Sequence, residues 1–279
     1  MVRSLMTACF VLFLVRPGDT TLPANEPNWT CSLTRLNEWV YVKDDTSGGN
    51  MFIDPAKAGP DFEVQGEYVG KIGNKLTLAA QVMALGNGRF DGILFLGGLP
   101  GNVWDEQTKS FLIAERRGDT TYVIGKFGER LRFSNPNIRG TIQDGVFQGS
   151  AKMFRNRLED VSFILTKIHR KSPTLGAKPP PNALVLFDGR NTDEWDNGRT
   201  IDGNLLNVGT RSKRRFKDHF VHLEFRCPLM PTARGMQRGN SGAYVRDVWE
   251  VQIVDSFGWH AENRKFIRLS ISGKCGGIH

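Results

Sequence analysis

The sequence predicts an all-β protein in two parts: a small sandwich- or barrel-like domain over residues 61–170 and a second β-rich segment over residues 184–279. Three observations carry this. From Asp61 onward, short apolar runs rich in β-branched and aromatic residues recur between Gly and Asn-Gly turns. Thirty-one Gly and 13 Pro accompany almost no long helical pattern. A stretch with three consecutive prolines, KSPTLGAKPPPNA at 171–183, then separates two such regions as a semi-rigid connector. With 279 residues, 39% of them hydrophobic, the chain can build two ordinary cores.

The first 24 residues are expected to be an export signal. Arg3 supplies the positive start, and LMTACFVLFLV is apolar but too short to span a bilayer. Arg16-Pro17-Gly18 breaks the run, and the cut is placed near Ala24. The chain is therefore expected to be periplasmic or extracellular, with no membrane span after signal removal. Cys31, Cys227 and Cys275 remain, and their spacing matches neither a zinc site nor a disulfide framework. Cys227 and Cys275 could pair in an oxidising compartment, but free thiols are the expectation.

Residues 25–60 form an irregular lead with no clear period. Strands are then expected at EYVGKI (67–72), LTLAAQVMAL (76–85), FDGILFLGG (90–98), TTYVIGKF (120–127) and VSFILTKI (161–168). TIQDGVFQG (141–149) reads as a hairpin, because Asp144-Gly145 supplies both positive-φ positions of a type I′ turn. Glu115, Arg116 and Arg117 read as surface residues. This domain shows no catalytic motif.

In the second segment, FVHLEFRC (220–227) alternates: Val221, Leu223, Phe225 and Cys227 on one face, His222, Glu224 and Arg226 on the other. RGNSGAYVRDVWEVQIVDSFG (238–258) reads as a hairpin turning at Arg246-Asp247. That register sets Ala243 opposite Glu250 and Ser241 opposite Gln252, with Tyr244, Trp249, Val251 and Ile253 toward the core. Small neighbours would leave a depression over Glu250 and Gln252. If the two strands share a sheet and a face, two carboxylates, an imidazole, a guanidinium and an amide converge. Paired carboxylates in different environments suit general acid and base. His and Glu could also hold a divalent ion, although no ligand spacing is diagnostic. Asp255 reads as the cap of the turn that follows it. Trp195 could stack on a sugar ring or fill the core. Net charge is +8, and its sharpest run, Arg211 to Lys217, reads as a solvated hairpin edge; no nucleic-acid partner is expected.

LFDGRNTDEW, FVHLEFR, RGNSGAYVRDVWEVQIVDSFG and KCGGIH occur in this order, and the series resembles the bacterial 3-keto-disaccharide hydrolase domain family over residues 184–279. PDFEVQGEYVG, ALGNGRFDGILFLGGLPG and HRKSPTLGAKPP resemble the β-rich domain that precedes it in some exported members. The resemblance implies a concanavalin A-like jelly roll with a sugar-binding concave face. It also implies cleavage of glycosides already oxidised at C3, where the ketone acidifies the C2 proton and the glycosidic oxygen leaves by elimination. Glu250, Gln252 and Asp255 occupy the family's YEVQVLDS pattern, and His222, Glu224 and Arg226 its HLEFR pattern. The implied catalytic residues are Glu250, Glu224 and His222, and the implied substrate contacts are Gln252, Arg226, Arg238, Asn240, Ser241 and Trp195. Family members continue beyond the CGG motif, and Lys274 replaces the usual acidic residue, so the second domain is expected to be partial. The functional expectation is a carbohydrate partner with hydrolase or lyase-type chemistry, with a divalent metal as a candidate cofactor. A non-catalytic carbohydrate-binding module or an inactive remnant is the alternative.

Overall fold

The computed structural model describes residues 7–8, 13–15, 40–42, 51–74, 76–101, 109–127, 138–152, 160–245, 248–258 and 275. The expected cleavage point near Ala24, Cys31, Arg246-Asp247 and the stretch 259–274 lie outside them. Three short strands precede the barrel: β1 (Thr7–Ala8) and β2 (Phe13–Val15) in the expected signal, and β3 (Val40–Val42) in the lead. Helix α1 (Pro60–Val64) precedes β4 (Gly66–Ile72), β5 (Leu76–Gly86), β6 (Arg89–Leu96), β7 (Lys109–Arg117), β8 (Thr120–Phe127), β9 (Ile138–Gln143), β10 (Val146–Lys152) and β11 (Asp160–Ile168). The second segment holds β12 (Trp195–Asp196), β13 (Thr200–Ile201), β14 (Leu205–Asn207), β15 (Arg211–Ser212), β16 (Phe220–His222), β17 (Asn240–Val245) and β18 (Trp249–Val254). The fold is all-β.

Strands β4 to β11 form a closed antiparallel barrel in which each strand pairs with its neighbours in the chain and β11 pairs back onto β4. Up-and-down closure leaves no free sheet edge. The Asp144-Gly145 turn has the expected positive φ at both positions, 50° and 73°. Period-2 alternation sends Tyr68, Leu78, Phe90, Leu112, Phe147 and Phe163 into a packed interior. Phe147 meets Phe163 edge-on at 5.1 Å and Tyr68 at 6.2 Å, and the Tyr68 hydroxyl donates to Val64 O at 2.6 Å. Among the described residues the interior is filled by packed side chains.

Inward-facing glycines let this small barrel close. A Cβ on Gly149 would lie 2.1 Å from Arg139 O and 2.8 Å from the Phe163 ring, and one on Gly140 would lie 3.0 Å from the Phe147 ring. Only a bare backbone fits at these positions. Helix α1 tightens the barrel through Asp61, which accepts from Gly88 N at 3.0 Å and from Arg116 Nη2 at 3.0 Å. Arg116 is thus an anchoring residue and not the loose surface charge the sequence suggested, because its Asp61 partner lies 55 positions away.

In the second segment, β12, β15, β3, β17 and β18 form one sheet, β1, β14 and β13 another, and β16 pairs with β2. All three N-terminal strands therefore pair with this segment, β3 lying between β15 and β17. Arg211–Ser212 is an inner strand and not an edge, while Lys213, Arg214, Arg215 and Lys217 are solvated as expected, Arg214 gripping Glu194 at 2.7 Å. Leu186, Phe187, Trp195, Leu206 and Val208 make one small core, and Ala243 with Ile253 makes another. Among the described residues no helix is long and apolar enough to cross a membrane.

Candidate functional site

The β17–β18 hairpin is displaced by one residue from the register expected. Val245 pairs with Trp249, Tyr244 with Glu250, Ala243 with Val251, Gly242 with Gln252 and Ser241 with Ile253. Val248 N donates to Val245 O at 3.3 Å, so the loop between the paired strand ends is three residues long, not two. A one-residue slip exchanges which neighbours share a face. Ala243, Val251 and Ile253 are on the core side, and Tyr244 joins the Glu250 and Gln252 side.

The depression expected over Glu250 loses its basis, because Tyr244 and not Ala243 stands opposite the carboxylate. A Cβ on Gly242 would stand 2.1 Å from Glu250 Oε1, so the carboxylate lies folded onto that glycine. Gln252 is buried, its amide donating to Asn240 Oδ1 at 2.6 Å and to Ser241 O at 3.0 Å. Ser241 is also buried. Gln252, Asn240 and Ser241 thus form an internal brace across the hairpin.

The expected strand 220–227 is regular only at Phe220–His222; the residues after His222 follow an irregular path. Leu223 and Cys227 pack around Ala243 and Ile253 on the core side of the hairpin, opposite the face that carries Glu250 and Gln252. No hydrogen bond joins Glu224 to Glu250; Glu224 takes its own partners, His222 and Gly176. Leu223, partly buried against both small cores of the segment, favours this arrangement.

A smaller polar cluster forms around Glu224 instead. Glu224 Oε1 lies 3.2 Å from His222 Nε2 and accepts the Gly176 backbone N–H at 2.6 Å. The Glu224 side chain is 9% exposed and His222 25%. Gly176 belongs to the proline-rich connector, whose first half folds into turns (Leu175 N to Ser172 O, 3.1 Å) and laps over the carboxylate. Arg226 does not join this cluster through a hydrogen bond; it pairs with Asp202, 24 positions away. No sequence signal singled out Gly176, which reads there as a linker glycine.

Two further expectations are corrected. Trp195 is 3% exposed and its indole N–H donates to Leu186 O at 2.8 Å, so it is a core residue and offers no face to a sugar. Arg238 is fully buried: Nε donates to Asp255 Oδ2 at 2.7 Å and Nη2 to Gln65 Oε1 at 3.1 Å, joining the second segment to the barrel. Asp255 does cap its turn as expected, accepting from Phe257 N at 3.1 Å. Cys227 and Cys275 are free thiols, and burial, reinforced by the Asp255 charge, pushes the Cys227 thiol well above its ordinary range. Among the described residues no group of three or more His, Cys, Asp and Glu side chains gathers as a metal site. No family model, no curated protein and no solved structure matches the chain.

Proposed function

We propose that this chain is an exported carbohydrate-active protein of the 3-keto-disaccharide hydrolase type, with His222 and Glu224 as its acid–base pair. The observation that carries the reading is the 3.2 Å contact between His222 Nε2 and Oε1 of the nearly buried Glu224. A carboxylate held against an imidazole fixes the ring and stabilises the imidazolium that forms when the ring accepts a proton. The substrate's C2 proton, acidified by the adjacent ketone, goes to the imidazole; the electron pair left at C2 forms the enolate and then expels the glycosidic oxygen. Proton return to the leaving group and addition of water complete hydrolysis. The Glu250 side chain, turned to the opposite face of the hairpin, has no part in this scheme. The motif series resembling that family supports the substrate class.

A second reading, a non-catalytic carbohydrate-binding module, is favoured by the occupied amide of Gln252, which braces the hairpin and is not held ready for chemistry. Incubating the folded chain with a 3-keto-glucoside, with and without added divalent metal, separates the two. Sugar release that is lost in Glu224→Gln and His222→Ala but kept in Glu250→Gln supports the enzyme. Oligosaccharide binding with no release supports the module.

A further inference from the structure

We propose that the outer wall of the barrel across β8 to β11 is a binding site for an acidic, uronate-bearing polysaccharide. The inference does not depend on the hydrolase reading and concerns the domain that reading leaves without a role.

Among the described residues the barrel interior is filled by packed side chains, which directs attention to its outside. A shallow depression of about 570 Å³ lies there, lined by Arg139, Thr141, Gln148, Ser150, Ser162 and Ile164. Its cause is the facing Gly140–Gly149 pair, which lets the backbone sink toward the Phe147 and Phe163 rings and dents the wall. Cross-strand register aligns Tyr122, Thr141, Gln148 and Ile164 in one row, and Ile124, Arg139, Ser150 and Ser162 in the next. With strands ~4.8 Å apart, each row spans roughly 14 Å, room for a short run of linked pyranose rings.

The chemistry fits such a chain. Thr141, Gln148, Ser150 and Ser162 present hydroxyls and an amide outward, with no hydrogen bond to another described side chain, so they can meet sugar hydroxyls. Tyr122 is 52% exposed; Arg117 stands over its ring at 5.8 Å, and the remaining ring surface suits the C–H face of a pyranose. Arg139 is the one ionisable residue among those lining the depression, no carboxylate among them opposes it, and its planar fork matches a carboxylate in two-point contact. Among the described residues, Glu115 beside Tyr122 pairs with Arg117 at 3.0 Å, and Asp160 stands across from Lys152 in the strand register. A single guanidinium among neutral hydroxyls is wrong for nucleic acid, which needs a cationic stripe.

Affinity electrophoresis of the full chain through polygalacturonate, its methyl-esterified form and dextran sulfate tests the proposal. Retention by polygalacturonate is expected to exceed that by the esterified polymer. Arg139→Gln should weaken polygalacturonate binding at least tenfold and erase that preference. Tyr122→Ala should weaken both at least fivefold, and Lys57→Gln, which removes an equal charge elsewhere, should stay within twofold. The proposal is overturned by absence of retention of the wild type, by both variants staying within twofold, or by equal retention on dextran sulfate that Arg139→Gln leaves unchanged.

Discussion

Arg238 and Asp255 form a buried ion pair, Nε to Oδ2 at 2.7 Å, at the seam where the second segment meets the barrel. The guanidinium also donates to Gln65, whose side-chain oxygen accepts the Ala84 backbone N–H at 3.0 Å. Its charge is thus shared between a carboxylate and the barrel wall.

Arg238→Met leaves Asp255 without its buried cation and should destabilise the protein by roughly 3–5 kcal/mol. Adding Asp255→Asn should recover part of that loss. Urea unfolding followed by circular dichroism checks both, and an unchanged midpoint for Arg238→Met would remove the clasp from the account of stability.

Gly149→Ala should be among the most damaging small substitutions in the barrel. The added methyl meets backbone on two sides, Arg139 O at 2.1 Å and Gly140 Cα at 2.7 Å, and neither can move without breaking the β9–β10 ladder. A cost on the order of 3 kcal/mol is expected. Gly118→Ala meets nothing within 4 Å and carries only its positive-φ strain, about 1 kcal/mol. Thermal unfolding of the pair reads the contrast directly.

Stability should fall as pH rises above about 9. Unfolding returns Cys227 to an ordinary thiol of pKa 9.0 and Tyr68 to an ordinary phenol of 10.0, whereas burial holds both protonated well beyond those values in the fold. Above each ordinary pKa the unfolded chain releases a proton that the folded chain keeps, which favours unfolding. Lys167, lowered by burial, opposes this over the range just below 10.5. Cys227→Ala should flatten the decline between pH 9 and 10, and iodoacetamide should label Cys227 only on unfolding. A wild-type stability that is level across this range contradicts the assignment.

Removing residues 1–24 takes away β1 and β2 and uncovers the β14 and β16 edges they pair with. Unpaired edges recruit strands from other molecules. The shortened chain should therefore self-associate more than the full one at equal concentration, measured by light scattering on a sizing column. Two monomeric forms of equal stability would show those pairings to be dispensable.

Much of the barrel was legible in the sequence because its signals are local: alternation along each strand, and Asp144-Gly145 in the hairpin. Its closure was not, since β11 meets β4 across about a hundred positions and the inward glycines look like turn residues. The hairpin of the second segment was legible, yet assuming a two-residue loop shifted its register by one and moved Glu250 from Ala243 to Tyr244. Burial was the other blind point. Arg238 and Trp195 have the chemistry of ligand contacts, and only their partners Asp255, Gln65 and Leu186 reveal that both are internal.

The position of β3 between β15 and β17 imposes an order on biosynthesis. Its partners follow it by about two hundred residues, an interval of roughly 10–40 s at ribosomal speed, while every barrel strand has a partner next to it in the chain. The cylinder can thus be finished while the leading stretch is still waiting for its mates. During that delay β3 stands without its sheet partners, open to any factor that grasps an unpaired strand.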